Sequence, residues 1–386
     1  MPEQLQSQLI DSLLADSSDP VAFALFRRPG HKITLIWQEA CLLHTFNELE
    51  ELDTLWDEGR PIKSGFVLAP FQSGEGKPII VIEAEHQLDG FELSHFLAYW
   101  RGKNDSLKSS PSGGQELTGD FTARSSGKSG YSRIFAIFSA ALRQKGARLT
   151  KLVLSRTLTH VLPVGLSRGG LFLRACADFP ESFVYLCSTP DSGTWFGCTP
   201  ETLLTGAGSN WQTVALAGTR SELEPCWDGK NILEQRIVAD YMRDQLVSAG
   251  YLCAVRGPVT IHQGRLSHLR TDFYFTAAVG LGRLIRLLHP SPAVCGFPRP
   301  EALDFINRYE GYDRGYYSGF LGFISGPGPE GRPRNVDIYV NLRCLRLNRN
   351  QATLYAGGGI LPASTLESEW RETENKLDIL LSLIDR

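Results

Sequence analysis

The sequence YAGGGI, at residues 355–360, followed by EWRETENK, at residues 369–376, decides the fold of this chain. The apolar run at residues 352–356 predicts a β-strand that ends in a turn at three successive glycines. A helix is predicted after it, because large apolar residues recur there every three or four positions. Glycine has no Cβ, so the backbone at the three glycines is able to approach a ligand and direct its N–H groups at an anion.

Two carboxylates and a lysine share one face of the predicted helix. Glu369 and Glu372 are three residues apart, and Lys376 lies four residues beyond Glu372. Paired carboxylates repel each other unless a cation lies between them, and magnesium is a hard ion that prefers oxygen ligands. The alternative is an ordinary solvated helix face after an ordinary glycine turn.

Composition describes an ordinary globular chain. Its 386 residues are 42% hydrophobic and 21% charged, with a net charge of -3, enough for one large domain or two smaller ones. No basic excess indicates nucleic acid, and no apolar run predicts a membrane span. The N-terminus has no signal-peptide pattern, and none of the 8 cysteines forms a Cys-x-x-Cys pair. We therefore expect a cytoplasmic protein with reduced cysteines.

Predicted strands cluster along the chain instead of alternating with helices. This order predicts an α+β fold with large antiparallel sheets. Residues 102–130 are rich in Ser, Gly, Lys and Asp and predict an exposed loop. We therefore divide the chain into an N-terminal part at residues 1–128, ending in this loop, and a second part at residues 129–386.

Several isolated residues could carry chemistry. Lys151 opens an apolar strand, where it either extends to the sheet edge or, if desolvated, serves as a base. Glu201 begins another strand and is either solvated or held protonated as a general acid. Arg343, within a predicted strand over residues 338–344, is a candidate for bidentate carboxylate binding.

Two further candidates have plain structural readings as well. Glu234 lies four residues after Lys230 on a predicted helix over residues 229–248, so it either pairs with Lys230 at the surface or completes an oxygen ligand set with the C-terminal carboxylates. His268 has no neighbouring partner pattern and is more often a hydrogen-bonding residue than a catalyst.

Taken together, these residues resemble the chorismate-utilising enzymes: isochorismate synthase, salicylate synthase, anthranilate synthase component I and aminodeoxychorismate synthase. The resemblance covers residues 130–386, and within the family the chain is most like isochorismate synthase. It implies that residues 129–386 are the chorismate-binding catalytic core and that residues 1–128 are a divergent N-terminal part of the same fold. It is carried by KLVLSR at 151–156, GCTPETLL at 197–204, ALAGTR at 215–220, HLRT at 268–271, HPSPAV at 289–294, GYDRGYY at 311–317, YAGGGI at 355–360 and EWRETENK at 369–376.

The resemblance implies the family's fold, with two facing antiparallel sheets, helices outside and the active site in a cleft near the sheet edges. It implies Mg²⁺ held by Glu234 and Glu372 with support from Glu369. It also implies a substrate pocket made by Gly218, Thr219, His268, Tyr317, Arg343, Gly357, Gly358, Gly359 and Lys376.

The same resemblance discriminates between activities. Family members that use ammonia have glutamine where this chain has Lys151, and aminodeoxychorismate synthases often have a lysine where this chain has Ala217. This implies water as the nucleophile, no glutaminase subunit, and isochorismate synthase feeding menaquinone or siderophore biosynthesis. Salicylate synthase and a silent chorismate-binding protein are the alternatives. A monomer is the family-based expectation.

The implied mechanism makes Lys151 the base that activates water for attack at C2 and Glu201 the acid that protonates the departing C4 hydroxyl. Two residues depart from the family pattern. Asn231 stands where relatives often have an acid, and Gln235 replaces a common histidine. We expect both to weaken or retune magnesium binding.

Overall fold

Two nine-stranded antiparallel sheets form the framework of the protein. The structure, a computed structural model, describes residues 22–38, 43–56, 61–90, 127–221, 226–263, 266–326, 335–348 and 350–386. The expected exposed loop falls mostly at residues 102–126, outside the described residues. In the described part, no helix is both long and apolar enough to cross a membrane.

The first sheet carries the glycine stretch and the strand of Lys151. Its strands, numbered along the chain, are β1 (Phe23–Arg27), β2 (Ile33–Trp37), β6 (His86–Asp89), β7 (Lys151–Val161), β8 (Phe183–Thr189), β9 (Gly193–Thr199), β14 (Gly296–Phe297), β17 (Cys344–Asn348) and β18 (Gln351–Ile360). Their spatial order is β14-β7-β18-β17-β9-β8-β1-β2-β6. Lys151 and the glycines are therefore on adjacent strands.

The second sheet carries the ALAGTR and HLRT motifs. Its strands are β3 (Leu43–Phe46), β4 (Ser64–Ala69), β5 (Ile79–Glu83), β10 (Thr202–Ala207), β11 (Asn210–Ser221), β12 (Cys253–Gln263), β13 (Leu266–Thr276), β15 (Phe320–Ser325) and β16 (Asn335–Val340). Their order is β12-β13-β11-β10-β16-β15-β4-β5-β3. Strands from residues 23–89 thus complete both sheets.

Aromatic side chains from the two sheets pack against each other. The ring centroids of Phe26 on β1 and Phe66 on β4 are 5.5 Å apart, and those of Phe183 on β8 and Tyr339 on β16 are 4.3 Å apart. All four side chains are buried. Burial of such rings is a large hydrophobic contribution, and it fixes the sheets face to face, as the α+β prediction required.

Within the described ranges, six α-helices and a short 3-10 helix (Leu49–Trp56) flank the sheets. The α-helices are α1 (Lys128–Arg143), α2 (Arg168–Asp178), α3 (Gly229–Ser248), α4 (Leu281–Leu288), α5 (Arg299–Tyr309) and α6 (Leu366–Ile384). The side chains of Asp228 and Thr365 cap α3 and α6 by accepting from backbone N–H groups three residues on. Helix α3 packs on β11 and α6 packs on β18, which brings their acidic residues together.

Two local predictions were wrong. The three glycines do not form a turn: they continue β18, with Gly357 opposite Ser155 and Gly359 opposite Val153 on β7. The predicted strand over residues 338–344 is broken after Val340, where the chain leaves one sheet for the other. Arg343 therefore lies in a connection between sheets, with φ 48°.

One edge of β7 is completed by side chains. Strand β14 contributes only a two-residue pairing to β7. Just beyond it, the Glu310 carboxylate accepts hydrogen bonds of 2.7 Å from both the N–H and the Oγ of Ser155. Arg314 donates to the Val153 carbonyl at 2.9 Å and forms a buried ion pair with Glu310. These two side chains thus take the place of a neighbouring strand.

Candidate active site

A cavity lies where α3, α6, β11 and β18 meet, and all but two of the predicted site residues line it. The two exceptions are Lys151 and Glu369. Both are buried immediately behind the wall, where Lys151 contacts Glu234 and Glu369 lies beside Gly358. The structure therefore brings the whole predicted set together, although the residues come from seven motifs, and from two positions outside them, spread over more than 200 positions.

Three carboxylates converge on this cavity from two helices. Glu234 comes from α3, and Glu369 and Glu372 come from α6. The Lys151 Nζ is 3.0 Å from Glu234 Oε1, and the Lys376 Nζ donates to Glu372 Oε1 at 2.6 Å. Alternating acids and lysines limit the repulsion that a buried carboxylate cluster would otherwise suffer.

The glycines of β18 make room for this cluster. A Cβ on Gly359 would lie 2.1 Å from Glu234 Oε1 and 2.8 Å from the Lys151 Cε, far inside contact distance. A Cβ on Gly358 would lie 3.1 Å from Glu369 Oε2 and 3.3 Å from Glu372 Oε1. The absence of side chains therefore admits the carboxylates, a different reason for glycine from the anion-binding turn expected from the sequence.

The acids at the site have pKa values shifted in opposite directions, because burial raises each pKa and the nearby positive charges lower it to different extents. Burial raises the pKa of Glu201 to about 7, although nearby lysines and Arg343 oppose the shift. Burial, and then the charge of Glu372, raises the pKa of Glu369 to about 7. Burial acts in the same direction on Glu234, but the ammonium groups of Lys151 and Lys230 outweigh it and lower the pKa of Glu234 to about 2. The site thus holds two acids with a raised pKa, Glu201 and Glu369, and one with a lowered pKa, Glu234.

His268 is held neutral beside Arg343. Burial, and then the charge of Arg343, lowers the pKa of His268 to about 3. Its Nδ1 is 3.1 Å from the Gly218 carbonyl, and its Nε2 is 3.2 Å from Arg343 Nη2. A proton on Nδ1 satisfies both contacts, because the ring then donates to the carbonyl and accepts from the guanidinium. His268 is thus a positioning residue for Arg343.

Arg343 points an unsatisfied donor into a buried region. Its Nη1 has no hydrogen-bond partner among the described residues, and its backbone lies in the left-handed region. Ser318, which also lines the cavity, has φ 61°. Strained backbone of this kind recurs at ligand-binding sites, and a buried guanidinium donor is suited to a carboxylate.

The two departures from the family pattern have structural roles here. Asn231 accepts a hydrogen bond from the Thr219 N–H at 3.0 Å and so fixes the Gly218–Thr219 bulge on the cavity wall. Gln235 donates to the Ala215 carbonyl and to the Thr271 hydroxyl, each at 3.1 Å. Both tie α3 to the second sheet, a role that spacing along one helix does not reveal.

Sequence reasoning missed Lys230 as a site residue. Its Nζ lies 3.3 Å from Glu234 Oε2, 3.1 Å from Glu369 Oε1 and 4.0 Å from Glu372 Oε2. The pairing with Glu234 was expected, but as a surface contact, whereas the side chains are only 15% and 8% exposed. No pattern near residue 230 indicates the two acids on α6, because they are about 140 positions away.

A family model described as "Chorismate binding enzyme" matches residues 107–385. The chain belongs to the chorismate-binding enzyme family. Among curated family relatives, isochorismate synthase EntC of Escherichia coli (strain K12) is 32% identical over 250 residues, 61% of this chain and 62% of the relative. Isochorismate synthase MenF of Bacillus subtilis (strain 168) is 29% identical over 268 residues, 64% and 54% of the two chains. This chain thus spans less than two thirds of their length.

Solved structures share the chorismate-binding fold over nearly the whole chain. The menaquinone-specific isochorismate synthase MenF from Escherichia coli gives a TM-score of 0.73 at 21% identity, covering 97% of this chain and 91% of that one. Anthranilate synthase component I from Streptococcus pneumoniae gives 0.64 at 14% identity, covering 95% and 93%. These similarities confirm the α+β prediction of two large antiparallel sheets.

Proposed function

We propose that this protein is an isochorismate synthase, which converts chorismate to isochorismate. The observation that carries the proposal is the placement of a buried high-pKa carboxyl, Glu201, in the cavity wall and of a buried lysine, Lys151, immediately behind that wall. The relatives named isochorismate synthase support the same activity. Menaquinone and siderophore pathways are both compatible with these relatives, and the location proposed for the protein is the cytoplasm.

In the proposed reaction, Lys151 is neutral at the moment of reaction and accepts a proton from the water that attacks C2 of the substrate. Glu201 donates a proton to the C4 hydroxyl, which leaves as water. The pKa of about 7 for Glu201 keeps a substantial fraction protonated near neutral pH. Arg343 Nη1 and the Lys376 ammonium are placed to bind substrate carboxylates. One proton is taken up and one released, so the site returns to its starting state after proton exchange.

We further propose that Glu234, Glu369 and Glu372 hold Mg²⁺. These residues supply the oxygen donors that the ion prefers, and neither Glu369 oxygen accepts a hydrogen bond from the described residues. In the present arrangement, the described part of the chain contains no group of three or more acidic, His or Cys side chains set for a metal; Lys230 stands among the carboxylates instead. The chemistry that the bound ion supplies is neutralisation and orientation of the ring carboxylate.

The experiment that tests the activity is incubation of the purified protein with chorismate, with and without Mg²⁺, followed by chromatographic separation of the products. We expect isochorismate, formed only with Mg²⁺. Formation of salicylate and pyruvate would make the protein a salicylate synthase, and chorismate binding without turnover would make it a silent binder. Either result contradicts the proposal.

The pH dependence of turnover follows from Glu201. Because the acid form donates the proton, kcat is expected to fall about tenfold per pH unit once the pH exceeds the Glu201 pKa of about 7. The measurement is kcat at saturating chorismate and Mg²⁺ between about pH 6 and 9. A rate that stays constant through this range would remove Glu201 from the acid role.

Glu372→Gln is expected to weaken magnesium activation specifically. The amide keeps the size of the side chain but loses the charge, so the Mg²⁺ concentration for half-maximal rate should rise by about tenfold or more. Glu374→Gln is the matched control, because Glu374 is on the same helix but exposed. An unchanged Mg²⁺ titration for Glu372→Gln would refute its assignment as a ligand.

A further inference from the structure

We propose that Lys230 is a built-in counter-ion that occupies the carboxylate cluster in the metal-free protein and must be displaced when Mg²⁺ binds. The inference rests on the magnesium site proposed above and concerns a residue outside the proposed ligand set. It makes the ammonium group a competitor of the metal, which sets how much Mg²⁺ the protein needs.

The position of the ammonium group carries the proposal. A single Nζ lies within 3.1–4.0 Å of one oxygen from each of Glu234, Glu369 and Glu372. Only the contact with Glu234 follows from helical spacing, because the other two acids belong to a different helix, α6. Lys230 thus lies at the point shared by all three proposed ligands, where a cation is required to offset their mutual repulsion.

The contacts hold the lysine by charge more than by directed bonds. Neither Glu369 oxygen receives a hydrogen bond of normal geometry, although Glu369 is 1% exposed and Lys230 Nζ is 3.1 Å away. At this point one ammonium group faces three carboxylates, so its single positive charge offsets the cluster only in part. Carboxylate oxygens are also the ligands that a hard divalent cation prefers.

The lysine is also placed where it is able to leave. It is the second residue of α3, and cations are disfavoured near a helix N-terminus, so the carboxylates alone keep it there. Its side chain is 15% exposed, in contrast to Lys151, which is fully buried on β7. A flexible four-carbon stem allows the ammonium group to move toward solvent without a change in the backbone.

Two consequences follow for the protein without metal. The partly compensated cluster keeps α3, which packs on β11, close to α6, which packs on β18, so the metal-free site stays assembled. The apparent affinity for Mg²⁺ is lower than the three carboxylates alone would give, because binding includes the displacement of Lys230.

The test is isothermal titration calorimetry with Mg²⁺ alone, without chorismate, on wild type and Lys230→Gln, together with the Tm of each protein in a chelator. Lys230→Gln is expected to bind Mg²⁺ about tenfold more tightly and to have a lower Tm without metal. Lys128→Gln is the control, since Lys128 contacts Glu367 on the same helix α6 at 2.8 Å but is exposed. It removes the same charge and should leave Mg²⁺ affinity unchanged.

Lys230→Arg provides a second readout if the glutamine variant does not fold without metal. A guanidinium keeps the charge and is able to pair with two carboxylates at once, so Mg²⁺ binding should weaken. Equal or weaker Mg²⁺ binding by a folded Lys230→Gln variant, or unchanged binding by Lys230→Arg, would overturn the proposal. Failure of the magnesium site itself would be recognised separately, because wild type would then bind no Mg²⁺, and the inference would fall with it.

Discussion

Replacement of Gly359 by alanine is expected to lower kcat by about 10²-fold or more. The new Cβ would lie 2.1 Å from Glu234 Oε1 and 2.8 Å from Lys151 Cε, so one methyl group would displace both a proposed metal ligand and the proposed base. Because Gly359 is within β18, the strand has little freedom to yield. The measurements are kcat and Mg²⁺ affinity by calorimetry, and both should deteriorate.

The matched control is Gly229→Ala. Gly229 is at the start of α3, close to the same site, but a Cβ there meets no atom within 4 Å. This variant should retain wild-type turnover. A Gly359→Ala protein with wild-type kcat and Mg²⁺ affinity would show that the positions of Glu234 and Lys151 in the structure are not those used in catalysis.

Lys151→Ala is expected to lower kcat by about 10²- to 10⁴-fold, the range contributed by a general base, while chorismate binding is largely retained. The binding residues Arg343 and Lys376 are separate from Lys151, which lies behind the cavity wall. Product formation and chorismate binding by calorimetry are the two measurements. A near-normal rate would remove Lys151 from the role of base.

Lys151→Arg separates the base from the ion pair. Arginine keeps a positive charge beside Glu234 but does not give up its proton in proteins. If Lys151 acts only as a counter-ion to Glu234, the arginine variant should recover much of the turnover lost in Lys151→Ala. If Lys151 is the base, both variants should be inactive, although only the alanine variant leaves Glu234 without its 3.0 Å partner.

The two-sheet fold was predictable because eight sequence motifs that resemble those of the chorismate-utilising enzymes follow one another in the family's order. The long helices were predictable from periodicity, and the helix predicted over residues 229–248 is confirmed as α3. The shared face of Glu369 and Glu372 is also confirmed, because one carboxylate oxygen of each residue lies beside Gly358. Information of this kind is local: it depends on residues within a few positions of each other.

The errors concern contacts between distant segments. Three glycines were interpreted as a turn because glycine usually marks one, but tertiary pairing with β7 keeps them extended. Lys230 was interpreted as the surface partner of Glu234, because helical spacing identifies a neighbour on the same helix, α3. The same spacing gives no information about the acids on α6. The hydrogen bond from the Thr219 N–H on β11 to the Asn231 amide oxygen was not predicted either, because the two residues are on different elements. The expected effect of Asn231 on magnesium binding remains a prediction.

The pair Glu310 and Arg314, which completes the edge of β7, has a consequence for how this protein behaves at high concentration. Exposed strand edges are the usual templates for intermolecular β-pairing, domain swapping and fibril growth. At Val153 and Ser155 the edge hydrogen bonds are already taken by buried side chains. An incoming strand would have to break a buried ion pair first, so the edge nearest the candidate active site is protected against aggregation.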